Sequence, residues 1–565
     1  MRGLLFAVGS GLLMALALPL AIPFISLSEI DPAGHLELVS WFALVPVLFA
    51  VARASTFGRA FGLGFVAGLA YFYAAIWWVN HAMTVFGGVP WPIAFLGLTL
   101  LVAFMAFHWA AALSVSWLIR RRLGWPMHMH LPAVFAAFEF CRNYLCTGFP
   151  WGNLGYTQVR HLAMAQLASV TGIYGIAALV VLVNCVLHAL VEARVARRSL
   201  PWRAAAATAA LLALAFAFGR VHLASVRERA SAAPKLWVAL VQGNVSQSVK
   251  NNAIVNGTEI LHRYLPLTLK ADGLGADLIA WPESAYPFFV PAKRKSLSDR
   301  RTGLPRLRRA HLLLGAEAYL VRRAPDGRSE EQGANSVFLL RPDLSVIGIY
   351  SKHHLVPFGE YVPLASVLGR FLRSVVPEMI MQSPGSELTV LQFPESPPDG
   401  VVRAPGQPDL SQVRLAPMIC FDAIFPEVNV AYARQDPEIL VNPTNDAWYG
   451  YSSGPYQFLA MVRMRAIEAG KAVVRPAYAG VSALIDPSGE VQPGALPLGP
   501  VDPELAPSLD QPPRLLMGKV PRLRGRTLYT TFGDLFAWAA SLYGAAVLAI
   551  ALFHRGRGVP PGTEG

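Results

Sequence analysis

The chain has 565 residues, 54% hydrophobic and 15% charged, with a formal net charge of +13 and a mean hydropathy of +0.42. An ordinary soluble domain is about 25% charged, so this composition excludes a purely soluble enzyme and a disordered chain. Four cysteines with no CxxC pair exclude a disulfide scaffold and argue against a structural zinc site.

Long apolar runs fill residues 1–225. A bilayer-spanning helix needs about 20 mostly apolar residues. On that measure, spans are expected near 3–25, 37–52, 60–80, 90–119, 130–146, 162–191 and 202–222, with an eighth near 533–553. The first also fits a signal peptide, with Arg2 ahead of an apolar core and small residues at Ala15 and Ala17. An uncleaved span is preferred because further spans follow at once. The fifth carries Glu139, Arg142 and Asn143 near its end. Ionisable residues at such depth are functional candidates; the plainer reading is that Glu139 and Arg142, three apart on one helix face, pair near the interface.

Loop arginines set the orientation. Arg53 and Arg59 follow span two, Arg120, Arg121 and Arg122 follow span four, Arg194, Arg197, Arg198 and Arg203 follow span six, and Arg555 and Arg557 follow span eight. With eight spans all four loops share one side, which is then cytoplasmic. The loop 26–36, with Glu29 and Asp31, has no Lys or Arg. The basic balance is therefore a topology signal, and a nucleic-acid partner is not expected. The expected organisation is a membrane domain over 1–225, an extracytoplasmic domain over 232–520, a C-terminal span within 530–555 and a cytoplasmic tail over 556–565.

Residues 235–520 alternate strand-like and helical runs, which predicts an α/β layered domain. Strands are expected at Leu236–Leu240, Leu278–Trp281, Leu312–Ala316, Ser336–Leu340, Val346–Tyr350, Arg414–Ile419, Ile439–Asn442 and Val481–Ile485, and helices at 256–271 and 454–470. The stretches 392–412 and 487–513, rich in Pro and Gly, read as loops. Three strand ends carry chemistry. Leu278–Ala280 runs into Trp281-Pro282-Glu283-Ser284, where the proline stops the ladder and presents the carboxylate. Lys352 follows the strand ending at Tyr350, with Glu360 eight residues on. A third strand ends at Cys420, with Asp422 two residues later.

Cys141, Cys146 and Cys185 lie in or beside spans and fit inert packing. Cys420 is the lone thiol of the outer domain, either buried and inert or reactive. Glu283 and Lys352 are ordinary residue types, yet the three together make a specific set. A thiol is only a few per cent ionised at neutral pH. A carboxylate can take its proton, and an ammonium can stabilise the thiolate and the oxyanion that follows. Such a site performs acyl transfer with no metal or cofactor.

Glu, Lys and Cys in this order at strand ends resemble the nitrilase (carbon–nitrogen hydrolase) superfamily. The blocks are WPES at 281–284, SKHHLVPFGEYVP at 351–363, ICFDAIFPE at 419–427, NPTNDAWYG at 442–450 and RMRAIE at 463–468. With spans around them, and TGFPWGNLGY at 147–156, the chain resembles that superfamily's membrane-embedded branch, the apolipoprotein N-acyltransferases. The resemblance implies a four-layer αββα domain on the periplasmic face of the inner membrane and a ping-pong reaction. In it Cys420 takes an acyl chain from a phospholipid as a thioester, Glu283 is the base and Lys352 the oxyanion stabiliser. The acceptor is the α-amino group of a diacylglyceryl-cysteine lipoprotein. Glu360, Phe421 and Asp422 are implied supports, although a loop carboxylate held by backbone N–H groups is the plainer reading of Glu360. Asn251, Phe358, Tyr361 and Trp448 are implied on the substrate side, and Leu368 and Phe371 are candidates there from the helical stripe described below. No cofactor is implied, and a monomer is expected. Three positions depart from the family pattern: Phe421-Asp422 replaces Tyr-Glu, Asn251 replaces an expected tryptophan, and Pro476-Ala477-Tyr478 replaces an Ala-Thr-Asn type of turn.

Leu364, Val367, Leu368, Phe371, Leu372, Val375 and Val376 form one helical stripe, with Arg370 and Arg373 on other faces. The stripe fits an ordinary core-facing helix or an interfacial arm lying on the bilayer. A membrane-tethered amidase using water as acceptor shares the same three residues and is the alternative function.

Overall fold

The structure is a computed structural model that describes residues 1–19, 36–245, 249–250, 253–323, 329–362, 382–394, 412–450, 452–496 and 512–554. Asn251, Leu368, Phe371 and the whole stripe of 364–376 lie outside the described residues.

The N-terminal helices are α1 (Arg2–Leu16), α2 (Val45–Ala52), α3 (Phe57–Ile76), α4 (Trp91–Leu123), α5 (Leu131–Arg142), α6 (Ala168–Val195) and α7 (Trp202–Ala232). Local chemistry places their ends. In α3 the Thr56 hydroxyl accepts from the N–H of Arg59, an N-cap bond. In α4 a proline sits in the first turn and Gly124 closes the helix at φ 69°, with Arg120, Arg121 and Arg122 in the last turn. The later helices are α8 (Ala253–Gly273), α9 (Pro426–Ala433), α10 (Gly454–Ala469) and α11 (Leu535–Phe553).

Among the described residues, five helices are long and apolar enough to cross a membrane: α3, α4, α6, α7 and α11. The expected first span is the shorter α1, and the second is a turn at Leu36–Trp41 followed by α2. The fifth differs most from expectation. It is the 12-residue α5, about 18 Å long at 1.5 Å per residue, well short of a 30 Å core. It packs against α4, α6 and α11. Glu139 and Arg142 are both buried, but they do not reach for each other. Glu139 Oε1 accepts from the N–H of Leu154 at 2.8 Å, and Arg142 donates to Asn153 Oδ1. Buried charges need partners, and here the partner is the loop that contains TGFPWGNLGY.

The α/β part contains two sheets. The first is seven-stranded, in the order β12 (Arg514–Pro521), β1 (Lys235–Gln242), β2 (Leu278–Ala280), β4 (His311–Arg323), β5 (Ser329–Leu340), β6 (Val346–Ser351), with β3 (Tyr286–Pro291) also on β4; the second runs β11 (Ala483–Ile485), β10 (Ala472–Arg475), β9 (Ile439–Val441), β8 (Gln412–Pro417), β7 (Leu391–Pro394). Strands β1 (Lys235–Gln242), β2 (Leu278–Ala280) and β4 (His311–Arg323) lie parallel, and β5 (Ser329–Leu340) and β6 (Val346–Ser351) continue antiparallel. In the second sheet β8 (Gln412–Pro417), β9 (Ile439–Val441) and β10 (Ala472–Arg475) are parallel. Helix α8 packs on the first sheet and α10 on the second.

Four strands carry no readable sequence signal: β3 (Tyr286–Pro291), β7 (Leu391–Pro394), β10 and β12 (Arg514–Pro521). The β10 stretch, AVVR, is buried at every position and too short to show alternation. Part of the stretch read as loop at 392–412 is β7, paired antiparallel with β8. A free-standing strand of four residues has little stability, so its state depends on its neighbour.

Candidate active site

Glu283 sits just beyond the end of β2. The approach is close: a Cβ on Gly315 of β4 would fall on the Pro282 carbonyl oxygen, so only glycine lets β4 run beside this turn. Ser284 takes φ 47° and donates to Glu317 Oε1 at 2.7 Å. Lys352 follows β6, and its backbone N–H donates to Asn335 O at 2.8 Å.

The two side chains meet in the interior. Lys352 Nζ donates to Glu283 Oε1 at 3.1 Å and to Glu360 Oε1 at 2.8 Å. Asn335 Nδ2 donates to Glu283 Oε1 at 2.6 Å. Glu360 Oε2 accepts from the N–H of Val356 at 2.8 Å, so one oxygen of this carboxylate is held by backbone while the other meets Lys352. Lys352 is 1% exposed and Glu283 5%. Burial works against the charge of Lys352, but Glu283 and Glu360 outweigh it and hold the ammonium protonated well above its usual range. Burial likewise raises Glu283, and Lys352 and Lys250 reverse this, holding it below the usual carboxylate range.

Cys420 is buried. It opens a short 3₁₀ turn, Cys420–Ile424, three residues beyond the end of β8. Its φ is 44°, a left-handed conformation a non-glycine residue rarely takes. The turn is held from the adjacent β9 end: Cys420 N–H donates to Pro443 O at 2.8 Å, and Asn442 Nδ2 donates to Met418 O at 2.7 Å. Strain kept in place by surrounding bonds is a feature of functional sites. Burial and then Glu283 push the thiol up to about 12, against the pull of Lys352 and of the Thr444 hydroxyl. At rest the thiol is neutral.

Asp422 ties the cysteine turn to the lysine loop. It accepts from the N–H of Ile419 at 3.0 Å, from Tyr350 Oη at 2.7 Å, and from the N–H groups of His353 at 3.2 Å and His354 at 2.7 Å. Asp422→Ala leaves these four donors unpaired and should cost about 3 kcal/mol, read as a lower melting temperature of the full chain in detergent. Phe421 stacks near Phe149, ring centroids 6.2 Å apart. Trp151 Nε1 donates to Gln457 Oε1 at 2.7 Å, and Tyr449 lies edge-on to Trp78 at 4.6 Å. The loop anchored by Glu139 and Arg142 thus touches the turn that carries Cys420.

Phe358 and Trp448 are exposed, and Tyr361 is half-buried with its carbonyl accepting from Phe358 N–H at 2.7 Å. Cys185 is buried, whereas Cys141 and Cys146 are exposed; they sit at the end of α5 and in the turn after it, so packing does not explain them. Five residues escape a reading of the sequence. Asn335 and Glu317 lie on strands β5 and β4, whose early or late portions carry no clear pattern. Ser284 and Thr444 lie inside noted blocks but are common residue types. Lys250 lies 4.7 Å from the centre of the Tyr478 ring; burial lowers its pKa, and Glu283, Glu317 and Cys420 act to raise it.

Both parts of the chain match known proteins. Residues 10–186 match the apolipoprotein N-acyltransferase N-terminal domain, and residues 237–499 match the carbon–nitrogen hydrolase domain. The apolipoprotein N-acyltransferase of Geobacter metallireducens is 35% identical over 561 residues, covering 98% of this chain and 96% of that one. That of Rhodopseudomonas palustris is 29% identical over 522 residues, covering 87% and 90%. That of Bradyrhizobium diazoefficiens is 34% identical over 415 residues, covering 70% of each.

Proposed function

The chain belongs to the apolipoprotein N-acyltransferase family of acyltransferase enzymes, and from that premise we propose that it moves an acyl chain from a phospholipid to the N-terminal amine of a diacylglyceryl lipoprotein. The carrying observation is the buried Lys352, held between Glu283 and Glu360, in a loop that Asp422 ties to the turn bearing Cys420.

The chemistry follows from charge bookkeeping. The resting site holds Glu283 as carboxylate, Lys352 as ammonium and Cys420 as thiol. Passing the proton from sulfur to Glu283 leaves the net charge unchanged and gives Lys352 a thiolate in place of a carboxylate. That exchange is far cheaper in a buried site than creating a new charge. Sulfur then attacks the ester carbonyl, and the Lys352 ammonium faces the developing oxyanion. As the tetrahedral intermediate collapses, the leaving alkoxide takes the proton from Glu283 and departs as lysophospholipid. In the second half the amine attacks the thioester, Glu283 accepts its proton, and the thiolate is expelled and reprotonated. Glu360 keeps Lys352 charged while Glu283 changes state.

A membrane setting suits these substrates. Each acyl CH₂ moved into water costs about 0.8 kcal/mol, so the thiol must come to the lipid. The contacts of Trp78, Phe149 and Trp151 with the α/β part place apolar residues beside the cysteine turn. The arginine-bearing loops support eight spans, with residues 1–225 and 530–555 in the inner membrane, residues 232–520 on the periplasmic side and a short cytoplasmic tail. Glu283, Lys352 and Cys420 are the catalytic residues of this reading.

The test uses purified full-length protein with labelled phospholipid. Mass spectrometry should find an acyl thioester on Cys420 that is absent in Cys420→Ala, and a diacylated lipopeptide should then gain an amide-linked chain. No thioester would sink the reading. A thioester released only as fatty acid would instead mark an amidase-type enzyme with water as acceptor.

A further inference from the structure

The end of α7 farthest from the α/β part borders a groove that the proposed reaction does not use. Near its middle α7 is seated closely on its neighbours. A Cβ on Gly219 would fall on the Ala163 carbonyl oxygen, and Ala215 packs with Met164 and Leu179. Its first turns carry Ala204-Ala205-Ala206-Ala207, side chains too small to fill the space toward α6. A groove of about 780 Å³ is left there, between Leu182 of α6 and Ala204, Ala207 and Leu211 of α7. That volume falls within the roughly 300–1,000 Å³ of small-molecule sites.

Trp202 and Arg203 line the groove where α7 begins, and His128 lines it from the turn Met127–Met129. From Trp202 to Leu211 the helix rises about 14 Å at 1.5 Å per residue, close to half of a hydrocarbon core of about 30 Å. The groove therefore has the depth of one leaflet, with a tryptophan at the level where such residues meet the membrane surface.

The charges bordering it are of one sign. Segments 120–130 and 190–203 hold seven arginines and one acid, Glu192, which Arg120 takes at 2.8 Å. Arg203 is exposed and makes no ion pair among the described residues. His128 Nδ1 is buried with no hydrogen-bond partner among the described residues. A guanidinium and a ring nitrogen without partners suit phosphate oxygens, and the apolar wall beyond them suits an acyl chain. The surrounding arginines oppose a headgroup that carries its own ammonium.

We propose that this groove seats one anionic phospholipid, its phosphate against Arg203 and His128 and an acyl chain along Leu182, Ala207 and Leu211. The lipid is not the acyl donor. Helix α7 has 31 residues, so its other end, which leads into β1, is about 46 Å away. The lipid fills the space that small residues leave beside the helix that carries the α/β part. The inference uses the membrane reading of α6 and α7 and is independent of the reaction at Cys420.

The test places the full-length protein in phosphatidylcholine nanodiscs with a trace of phosphatidylglycerol that bears a photoactivatable diazirine in its acyl chain. After illumination, labelled peptides are read by mass spectrometry. Label on Leu182 and on 204–211 should exceed that on the exposed Trp538 and Leu542 of α11, which report ordinary surrounding lipid. Ala207→Trp fills the groove and should bring the label down to the α11 level. Arg203→Gln changes an exposed side chain without challenging the fold, and should cut the label about fivefold, the worth of one basic residue against anionic lipid. The same diazirine on phosphatidylcholine should label the groove about fivefold more weakly. A groove label no denser than on α11, an unchanged label in either variant, or equal label from the two lipids overturns the proposal. The readout needs no acyl transfer, so failure of the functional reading is separately visible as absence of the acyl thioester.

Discussion

Glu283→Gln should lower acyl-thioester formation by about a thousandfold, within the usual 10²–10⁴ worth of a positioned general base, while leaving the fold intact. The substitution is isosteric. A glutamine oxygen still accepts from Asn335 and from Lys352, the bonds now seen at 2.6 and 3.1 Å. Lys352 keeps Glu360 at 2.8 Å and stays charged. What disappears is the base proposed to take the thiol proton, which Lys352 holds ionised. The measurement is the single-turnover rate of thioester formation from labelled phospholipid in detergent. A loss of less than tenfold would mean that another group takes the proton.

The acid limb of the unaltered enzyme carries the same information. Glu283 is held below the usual carboxylate range, and the reaction needs its ionised form. The rate should therefore hold as pH falls past the ordinary glutamate value of about 4.3 and drop only on reaching the depressed one. Linkage has the same sign. A depressed carboxylate contributes stability that is present above its unfolded value and lost as pH falls through its folded value. Glu283→Gln lacks that contribution, so its melting temperature should depend less on pH at the acid end.

Arg475→Leu should have the largest effect on stability. Arg475 and Asp446 are both 0% exposed, and removing one partner strands the other charge. Breaking a buried pair in this way costs about 3–5 kcal/mol, or roughly 10 °C in melting temperature for a domain of this size. Arg475 also donates to Asn442, whose side chain holds the Met418 carbonyl, so the cysteine turn should loosen as well. Burial already raises Asp446 against the pull of Arg475. Without the guanidinium it rises further and takes a proton on acidification, so the deficit should shrink as pH falls. The double variant Arg475→Leu with Asp446→Asn should recover much of the loss. A single variant that melts within 2 °C of the unaltered protein would show that the pair contributes little.

Much of this protein is legible from its residues alone. Apolar runs of spanning length need no tertiary information, because a bilayer asks only for length and hydropathy. Glu283, Lys352 and Cys420 were each marked by a strand that ends in a reactive side chain, and a strand end depends on local chemistry. Their convergence is another matter. Glu283 and Lys352 are 69 residues apart in the chain, and their contact exists because β2 and β6 end on the same side of one sheet. Asn335 bonds Glu283 from β5, and the Pro443 carbonyl just past β9 takes the Cys420 N–H, because neighbouring strands bring their ends together. An asparagine in a strand and a proline just after one carry no mark of that use.

The same division separates Glu139 and Arg142 from their expected pairing. Their spacing of three is a local fact and suggests a bond along one helix. Which partner each takes is set by what is packed against that helix, and here the 153–154 segment lies there and offers an amide oxygen and an N–H. Composition and period act over a few residues and so could be read directly. Which buried donor meets which buried acceptor depends on residues far apart in sequence, and that is settled when the strands and helices pack.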